Sequence, residues 1–184
     1  MKYTKDRIGL LVADTLHAIN YEIRNKISYE KSYKKSLQKG TKFIEILKEL
    51  IEELPEKEQK RIDIIRWDDI KKEKLYRELF PIAKKEFRED NTFKEAILDI
   101  IREQVKQEDR IFSKKDIERF GEYIIEELPE LANGFIFKNT YYNCYLYPYY
   151  SKLAQFVEDL QQGKIFTQIS EKLVKRYNVF VELR

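Results

Sequence analysis

The sequence is poor in the residues that make turns, cross-links and metal sites. Its 184 residues include five glycines, four prolines, one cysteine and one histidine. A single cysteine, Cys144, excludes an intrachain disulfide and is typical of a reducing compartment. With His17 as the one histidine, the chain lacks the ligand spacing of a structural zinc site. Scarce glycine and proline favour long helices over a turn-rich all-β fold.

Long apolar runs are also missing. No run approaches the roughly 20 residues that span a bilayer, and the start, MKYTKDRIGLLVADT, has no small-residue cleavage site. We therefore expect a cytoplasmic protein without membrane contact. Charged residues make up 38% and hydrophobic residues 42% of the chain, a balance that predicts a globular fold. We expect a single domain over residues 1–184 and, by default, a monomer.

The hydrophobic pattern predicts an α/β fold with parallel crossovers. The continuous apolar run IGLLVAD, residues 8–14, is typical of a strand that is buried on both faces. Further strands are predicted over 61–67, 141–147 and 177–183. Helices are predicted over 29–54, 71–87, 91–107, 113–128 and 149–162. The four prolines fall at apparent helix boundaries and are Pro55, Pro81, Pro129 and Pro148.

No glycine-rich phosphate loop follows the first strand. Doubly wound domains usually carry their ligand loop at this place. Here the segment ADTLHAINY contains no GxGxxG, GxxxxGK[ST] or GxSxG pattern. The sequence therefore gives no support to a dinucleotide-binding, P-loop or α/β-hydrolase function.

A cluster of lysines lies on one side of the helix predicted over 29–54. Between Arg24 and Lys42 there are seven basic residues and one acidic residue, a net charge of +6 against +3 for the whole chain. At about 100° per residue, five lysines share one side, which we call the lysine face: Lys31, Lys34, Lys35, Lys39 and Lys42. The opposite, apolar side carries Tyr33, Leu37, Gly40, Ile44, Leu47 and Ile51. The lysine face either contacts a polyanion, with binding that weakens in salt, or is a solvated helix surface.

A phenol and a carboxylate are neighbours on the helix predicted over 113–128. Tyr123 and Glu127 are spaced i, i+4 at the edge of an apolar face, whereas Glu126 is expected to point towards solvent. A carboxylate at such an edge is partly desolvated, which suits it to move a proton or to hold an ammonium group. The alternative is an ordinary surface pair.

The stretch NCYLYPYY, residues 143–150, contains four tyrosines and one proline. Such a run predicts core packing, a stacking surface or a site at a strand end. Cys144 lies in the predicted strand and is expected to be buried. The alternative, a nucleophilic pair with His17, has no motif to support it.

Several segments together resemble the tRNA-dependent cyclodipeptide synthases over nearly the full chain. LLVADTLHAINYE resembles that family's second strand and the turn after it, and EKSYKKSLQKGTK resembles its basic helix. IDIIRWDDIKKEKLYRELF and FREDNTFKEAILDIIREQV resemble its middle strand and the helices that follow. The most specific motif is YIIEELP, which resembles the family's Tyr-x-x-x-Glu-x-Pro helix end and places its conserved pair on Tyr123 and Glu127.

The resemblance implies a further site residue and a fold. The catalytic tyrosine corresponds to Tyr147, twenty residues after Glu127, and Pro148 follows it as in the branch with proline at this place. The implied fold is a Rossmann-like parallel sheet flanked by helices, resembling the catalytic domain of class I tyrosyl- and tryptophanyl-tRNA synthetases. No cofactor is implied, neither ATP nor a metal ion.

The implied reaction joins two aminoacyl groups from aminoacyl-tRNAs into a cyclic dipeptide, a diketopiperazine. An enzyme serine accepts one aminoacyl group as an ester, the amine of a second aminoacyl-tRNA attacks this ester, and the dipeptide cyclises. By the resemblance, Glu127 and Tyr123 hold the substrate's α-ammonium and Glu127 helps to move its proton. Tyr147 stabilises charge at the ester, and the lysine face holds tRNA phosphates.

The chain departs from the family at the nucleophile. That serine sits in a Gly-x-Ser loop after the family's first strand, and here only MKYTKDR precedes the strand that resembles the second. The six serines lie in or next to predicted helices, none in a Gly-x-Ser context: Ser28, Ser32, Ser36, Ser113, Ser151 and Ser170. We therefore expect that the N-terminal segment with the nucleophile and the first strand is lacking, because Met1 is internal to a longer protein or the gene is truncated. The alternative is a non-catalytic remnant that binds tRNA or other RNA through the lysine face.

Overall fold

The structure is a computed structural model that describes residues 7–106, 108–144 and 151–174. It is an α/β fold in which helices dominate and the sheets are small. The chain divides into two compact units, which we call the first unit (Met1–Glu73 and Ile136–Tyr142) and the second unit (Lys74–Phe135 and Asn143–Arg184). No helix in the described ranges has the length and apolar character needed to cross a membrane.

The first unit is built around a parallel strand pair. Its elements are β1 (Ile8–Val12), α1 (Ala18–Asn25), α2 (Tyr29–Glu52), α3 (Glu56–Gln59), β2 (Ile62–Arg66) and α4 (Trp67–Ile70). β1 and β2 run parallel, with Ile8 opposite Ile62 and Val12 opposite Arg66. The two predicted strands, the long helix between them and the parallel connection are therefore confirmed. The short helix α1 was not predicted.

β1 is less buried than its apolar sequence predicts. Of its five residues only Val12 is buried, and the side chain of Ile8 is 54% exposed. The expectation of a strand buried on both faces is wrong, because parallel strands are buried in this way only where layers cover both faces. Apolar side chains in the C-terminal half of α2 and just after its end are exposed as well, and these are Phe43, Ile46, Leu50 and Leu54.

α2 approaches the end of β1 along its smallest side chains. Its buried residues are Ser32, Ser36 and Gly40, whereas the predicted apolar residues Tyr33, Leu37, Ile44, Leu47 and Ile51 are half-buried. A Cβ added at Gly40 would lie 2.3 Å from the Cβ of Asp14. The guanidinium of Arg66 donates to Asp14 Oδ2 at 2.9 Å and to Thr41 Oγ1 at 2.8 Å. Close packing and a charged hydrogen bond therefore fix α2 to the carboxyl ends of both strands.

A second anchor of α2 is the carboxylate of Asp68, in the first turn of α4. It accepts hydrogen bonds from Thr15 Oγ1 at 2.7 Å and from the Tyr33 hydroxyl at 3.0 Å. Thr15 follows β1 and Tyr33 belongs to α2, so this carboxylate joins three elements. The lysine face of α2 is therefore carried by a helix of fixed position within the first unit.

A hairpin packs against the amino end of the β1–β2 pair through Tyr142. β3 (Phe135–Phe137) and β4 (Thr140–Tyr142) form a two-stranded sheet. Both connecting residues, Lys138 and Asn139, have positive φ, as a type I′ turn requires. The Tyr142 hydroxyl donates to Asp63 Oδ2 at 2.7 Å, and Arg7 Nε donates to the same oxygen at 2.8 Å.

The second unit is a set of packed helices. Its helices are α5 (Lys74–Glu89), α6 (Asn91–Val105), α7 (Lys114–Asn133), α8 (Lys152–Gln161) and α9 (Thr167–Leu173). Four of the five were predicted with ends shifted by a few residues, and α9 was not predicted. Fully buried side chains form the core, among them Leu79, Phe93, Ile97, Leu128, Leu160 and Leu173.

Two prolines lie inside helices and not at their boundaries as predicted. Pro81 is within α5 and Pro129 is within α7, which continues to Asn133 before Gly134 ends it with a φ of 64°. Proline removes one backbone hydrogen bond and favours a kink. Burial offsets that cost in α7, where Pro129 and its neighbours Leu128 and Ala132 are all buried.

A continuous parallel sheet is not observed among the described residues, which form two separate two-stranded sheets. β4 begins the predicted strand 141–147, but Asn143 and Cys144 are not in a strand. A tight hairpin gives β4 its partner, whereas a parallel partner would need a crossover. Residues 145–147 and the predicted strand 177–183 lie outside the described residues.

Candidate functional site

Tyr123 and Glu127 are presented by α7, the longest helix of the second unit. The helix starts with a capping box, in which Ser113 and Asp116 satisfy each other's backbone N–H groups. Its apolar face is buried against the core through Ile117, Phe120, Ile124 and Leu128. Tyr123 and Glu127 lie at the edge of this face and both are half-buried. The predicted helix and the edge position of the pair are therefore observed.

Burial changes the acidity of both side chains. Desolvation raises the pKa of Glu127 from 4.5 to about 7. Desolvation, and then the neighbouring charges of Glu127 and Glu126, raise the pKa of Tyr123. Within the described part of the chain, no cation or hydrogen-bond donor pairs with the Glu127 side chain. A carboxyl group in this state can exchange a proton near neutral pH, and a bound ammonium group would stabilise its ionised form.

Two residues that were not singled out from the sequence lie close to this pair. Glu130 follows Glu127 by three residues and is only 2% exposed. Tyr76 of α5 is buried, and its hydroxyl donates to the backbone carbonyl of Glu126 at 3.2 Å. Desolvation, and then the charges of Glu126 and Glu130, raise the pKa of Tyr76. The sequence could have indicated Glu130, because it lies three residues after Glu127 on the same helix. It could not have indicated Tyr76, because the contact of α5 with α7 joins residues far apart in the sequence.

The expectation that Glu126 points to solvent is wrong. Its side chain is half-buried. The reason is that α5 packs against α7 and its Tyr76 hydroxyl reaches the backbone carbonyl of Glu126, so α7 is partly covered at this position too. Three carboxyl groups, those of Glu126, Glu127 and Glu130, are therefore concentrated in this part of the second unit.

Cys144 follows β4, is half-buried and does not lie in a strand as predicted. Desolvation, and then the carboxylates of Glu130 and Glu127, raise its pKa well above the ordinary value. A thiol in this environment is a poor nucleophile at neutral pH. His17 belongs to the first unit, where its Nδ1 lies 3.2 Å from Asn20 Nδ2. Nothing in these environments favours a Cys144–His17 nucleophilic pair.

Tyr147, the third residue assigned to the site from the sequence, lies outside the described residues, as do Tyr145 and Pro148. Its predicted position at the end of a parallel strand therefore stays a prediction.

The lysine face is exposed along α2, as predicted for all five lysines. Lys34 pairs with Glu30 at 2.8 Å. The Nζ atoms of Lys39 and Lys35 lie over the ring of Tyr21 on α1, at 4.7 and 5.8 Å from its centroid. Tyr21 was missed from the sequence because it belongs to a helix that was not predicted.

The six serines either cap helices or are buried within them. Ser28, Ser113 and Ser151 cap the N-termini of α2, α7 and α8. Ser32, Ser36 and Ser170 are buried within helices. None lies at the end of a strand, where the resemblance places a nucleophile. Across the residues that the structure covers, no three His, Cys, Asp or Glu side chains gather into a group able to hold a metal ion.

The fold is similar to that of solved cyclodipeptide synthases. A cyclodipeptide synthase from Fluoribacter dumoffii has a TM-score of 0.55 and 21% identity, covering 67% of this chain and 55% of its own. AlbC, a cyclodipeptide synthase from Streptomyces noursei, has a TM-score of 0.53 and 17% identity, covering 69% of this chain and 61% of its own. No protein-family model and no curated protein sequence matches the chain. The chain therefore spans somewhat more than half of these structures, and over about two thirds of its own length it has their fold.

Proposed function

We propose that the protein acts on aminoacyl-tRNAs as a cyclodipeptide synthase, joining two aminoacyl groups into a diketopiperazine. The observation that carries the proposal is Glu127, a half-buried carboxyl group with a pKa of about 7 next to the phenol of Tyr123. The likeness in fold to solved cyclodipeptide synthases supports it. The proposal extends that likeness to activity and to substrates.

The α-ammonium of an aminoacyl group suits the environment of Glu127. An ammonium next to the carboxyl favours its ionised form, so binding lowers the pKa of Glu127 and strengthens the ion pair. Each amide bond of a cyclic dipeptide forms when a neutral α-amine attacks the carbonyl carbon of an ester. The C–N bond forms, the ester C–O bond breaks and its oxygen leaves as an alcohol that takes up a proton, so the ammonium must first lose a proton. A carboxylate with a pKa near neutral can take that proton at working pH. The Tyr123 phenol, with its raised pKa, stays a hydrogen-bond donor throughout.

The tRNA part of the substrate is assigned to the lysine face. Five exposed ammonium groups on one side of α2 are opposite in charge to the phosphates of an RNA backbone. Contacts of this kind position an RNA without reading its sequence. Tyr147 is proposed as the phenol that stabilises charge at the ester during transfer.

A product assay tests the proposal. The protein is incubated with tRNAs charged by a mixture of amino acids, and diketopiperazines are sought by mass spectrometry. The synthase function predicts cyclic dipeptides with the wild type and at least about 100-fold less with Glu127→Gln, as for loss of a general base. A chain that lacks the serine nucleophile predicts no cyclic dipeptide at all. An unchanged yield with Glu127→Gln would contradict the assigned role of the carboxylate.

A second candidate is favoured by the positions of the serines. Because three hydroxyls cap helices and three are buried, none is poised to accept an aminoacyl group as an ester. The corresponding function is RNA binding through the lysine face without acyl transfer. Salt-dependent tRNA binding in the absence of any cyclic dipeptide would favour this candidate over the synthase.

A further inference from the structure

Tyr21 is an aromatic side chain within a basic surface. It lies on α1 with its ring half-buried, next to the lysine face of α2. The buried residues of α1 are Ala18, Ile19 and Ile23, so Tyr21 is not one of the side chains that hold this helix in the core. Its position is therefore not explained by core packing alone.

Two ammonium groups lie over the ring. Lys39 Nζ is 4.7 Å and Lys35 Nζ is 5.8 Å from the ring centroid. The face of an aromatic ring that attracts cations is also the face on which a nucleobase stacks. Lysine side chains are long and flexible, so both ammonium groups can leave the ring for phosphates while a base takes their place.

This exchange favours a bound nucleic acid. The stacking of a base on an aromatic side chain at least offsets the two cation–π contacts that it replaces, because each such contact is weak at a partly exposed site. The freed ammonium groups gain contacts with phosphates, which release counterions. The alternative role of the ring, holding the two lysines in place, needs no base at all.

Only an unpaired base can use such a ring. Inside a duplex both faces of each base are covered by its neighbours and only the two end pairs expose a face, whereas single strands expose their bases to aromatic side chains. We propose that Tyr21, Lys35 and Lys39 form a stacking site for an unpaired base of single-stranded RNA. This inference rests on the proposed contact between the lysine face and RNA, and it specifies that the RNA has a single-stranded segment there.

The test compares two probes of one sequence, a short single-stranded RNA and the blunt duplex that it forms with its complement. Binding is measured for the wild-type chain, Tyr21→Leu and Tyr21→Phe. We expect Tyr21→Leu to weaken single-strand binding roughly 5- to 100-fold and duplex binding less than about twofold, since stacking contributes only to the former. Tyr21→Phe keeps the ring and should bind both probes as the wild type does. Phe43→Leu is the control for loss of an exposed ring. Phe43 is 50% exposed and lies on the same helix as the lysine face.

The outcomes separate this inference from the proposed function. Equal weakening for both probes would overturn it, because Tyr21 would then act only by holding the lysines. Unchanged binding by Tyr21→Leu would also overturn it while leaving RNA binding by the lysine face intact. If the wild-type chain binds neither probe at low salt, the proposed RNA contact fails and the stacking site with it. Unaltered duplex binding by Tyr21→Leu shows at once that the variant is folded.

Discussion

Glu127 follows Tyr123 by one turn of α7, and burial raises the pKa of both side chains. The phenol therefore stays protonated while the carboxyl group changes its charge near pH 7. Such a pair gives one side chain that always donates and a neighbour that can exchange a proton. It also places a cost on the folded protein, because the ionised carboxylate is held where it is poorly solvated.

Glu127→Gln should stabilise the folded protein at high pH. The pKa of Glu127 in the folded state, about 7, lies above 4.5, so the contribution of this one group to the free energy of unfolding is most favourable below about pH 4.5 and is lost as the pH rises to 7. At pH 8 the variant should be more stable by up to about 3 kcal/mol, with the difference disappearing near pH 4.5. Urea unfolding at several pH values measures this.

The matched control for that series is Glu122→Gln on the same helix. Glu122 is exposed and paired with Arg119 at the surface, so its replacement should change stability by less than about 1 kcal/mol at any pH. A lower stability of Glu127→Gln at pH 8 would contradict a desolvated carboxylate at position 127.

Removal of the Tyr142 hydroxyl should loosen the first unit. This hydroxyl donates to Asp63, a side chain that is only 7% exposed, so Tyr142→Phe leaves a buried acceptor with one donor fewer. We expect a loss of about 1–2 kcal/mol in the free energy of unfolding. Thermal and urea denaturation measure the change, and a variant as stable as the wild type would show that the bond contributes nothing.

Asp63→Asn should show the pH dependence of the same network. Burial would raise the pKa of Asp63, but hydrogen bonds from Tyr142 and Arg7 outweigh it and lower the pKa below 3.8. The charged form therefore stabilises the fold above about pH 4, and this stability is lost as the pH falls through the lowered pKa. The variant should be less stable than the wild type at pH 7 and approach it in acid. Asp69→Asn, which removes an exposed pair with Lys72, should change little.

Gly40→Ala should be destabilising although alanine is the better helix former. Helix propensity alone predicts a gain of about 1 kcal/mol. The new methyl group would instead lie 2.3 Å from the Cβ of Asp14, and α2 would have to move. We expect a net loss of about 1–3 kcal/mol, whereas Gln38→Ala at an exposed position of α2 should be neutral or stabilising. A gain in stability for Gly40→Ala would contradict the close packing of α2 on the end of β1.

Charge removal on the lysine face should weaken tRNA binding in a salt-dependent way. Lys31 and Lys42 have no side-chain partner among the described residues, so they are the lysines best placed to bind phosphates. A double variant carries both Lys31→Gln and Lys42→Gln. It should reduce the slope of log affinity against log salt concentration by about 0.9 for each phosphate that it no longer neutralises. The control is Lys48→Gln, which removes an exposed lysine of α2 outside the lysine face and should leave the slope unchanged. If Lys48→Gln reduces the slope as much per lysine as the double variant does, the attraction is non-specific.

Local patterns predicted most of the helices and the two parallel strands. The apolar periodicity of α7 also placed Tyr123 and Glu127 at the edge of its buried face, which is where the structure has them. These features depend on residues close together in the sequence, so a single sequence suffices to predict them.

Interactions between distant residues were not predictable in this way. Pro81 and Pro129 fall inside helices because tertiary burial overrides the local preference of proline. The Tyr142–Asp63 hydrogen bond joins residues 79 positions apart, and no local pattern indicates it. The position of Tyr21 next to the lysine face could be recognised only once α1 and its packing against α2 were known.

Recognition of the α-amine is the central claim, and it can be measured without catalysis. The affinities of one tRNA are compared in three forms: aminoacylated, aminoacylated and then N-acetylated, and uncharged. We predict that the free α-amine makes binding roughly tenfold tighter than in the N-acetylated form, as expected for a charge-assisted hydrogen bond, and that Glu127→Gln abolishes this difference. Equal affinity of the wild-type chain for all three forms would contradict the account.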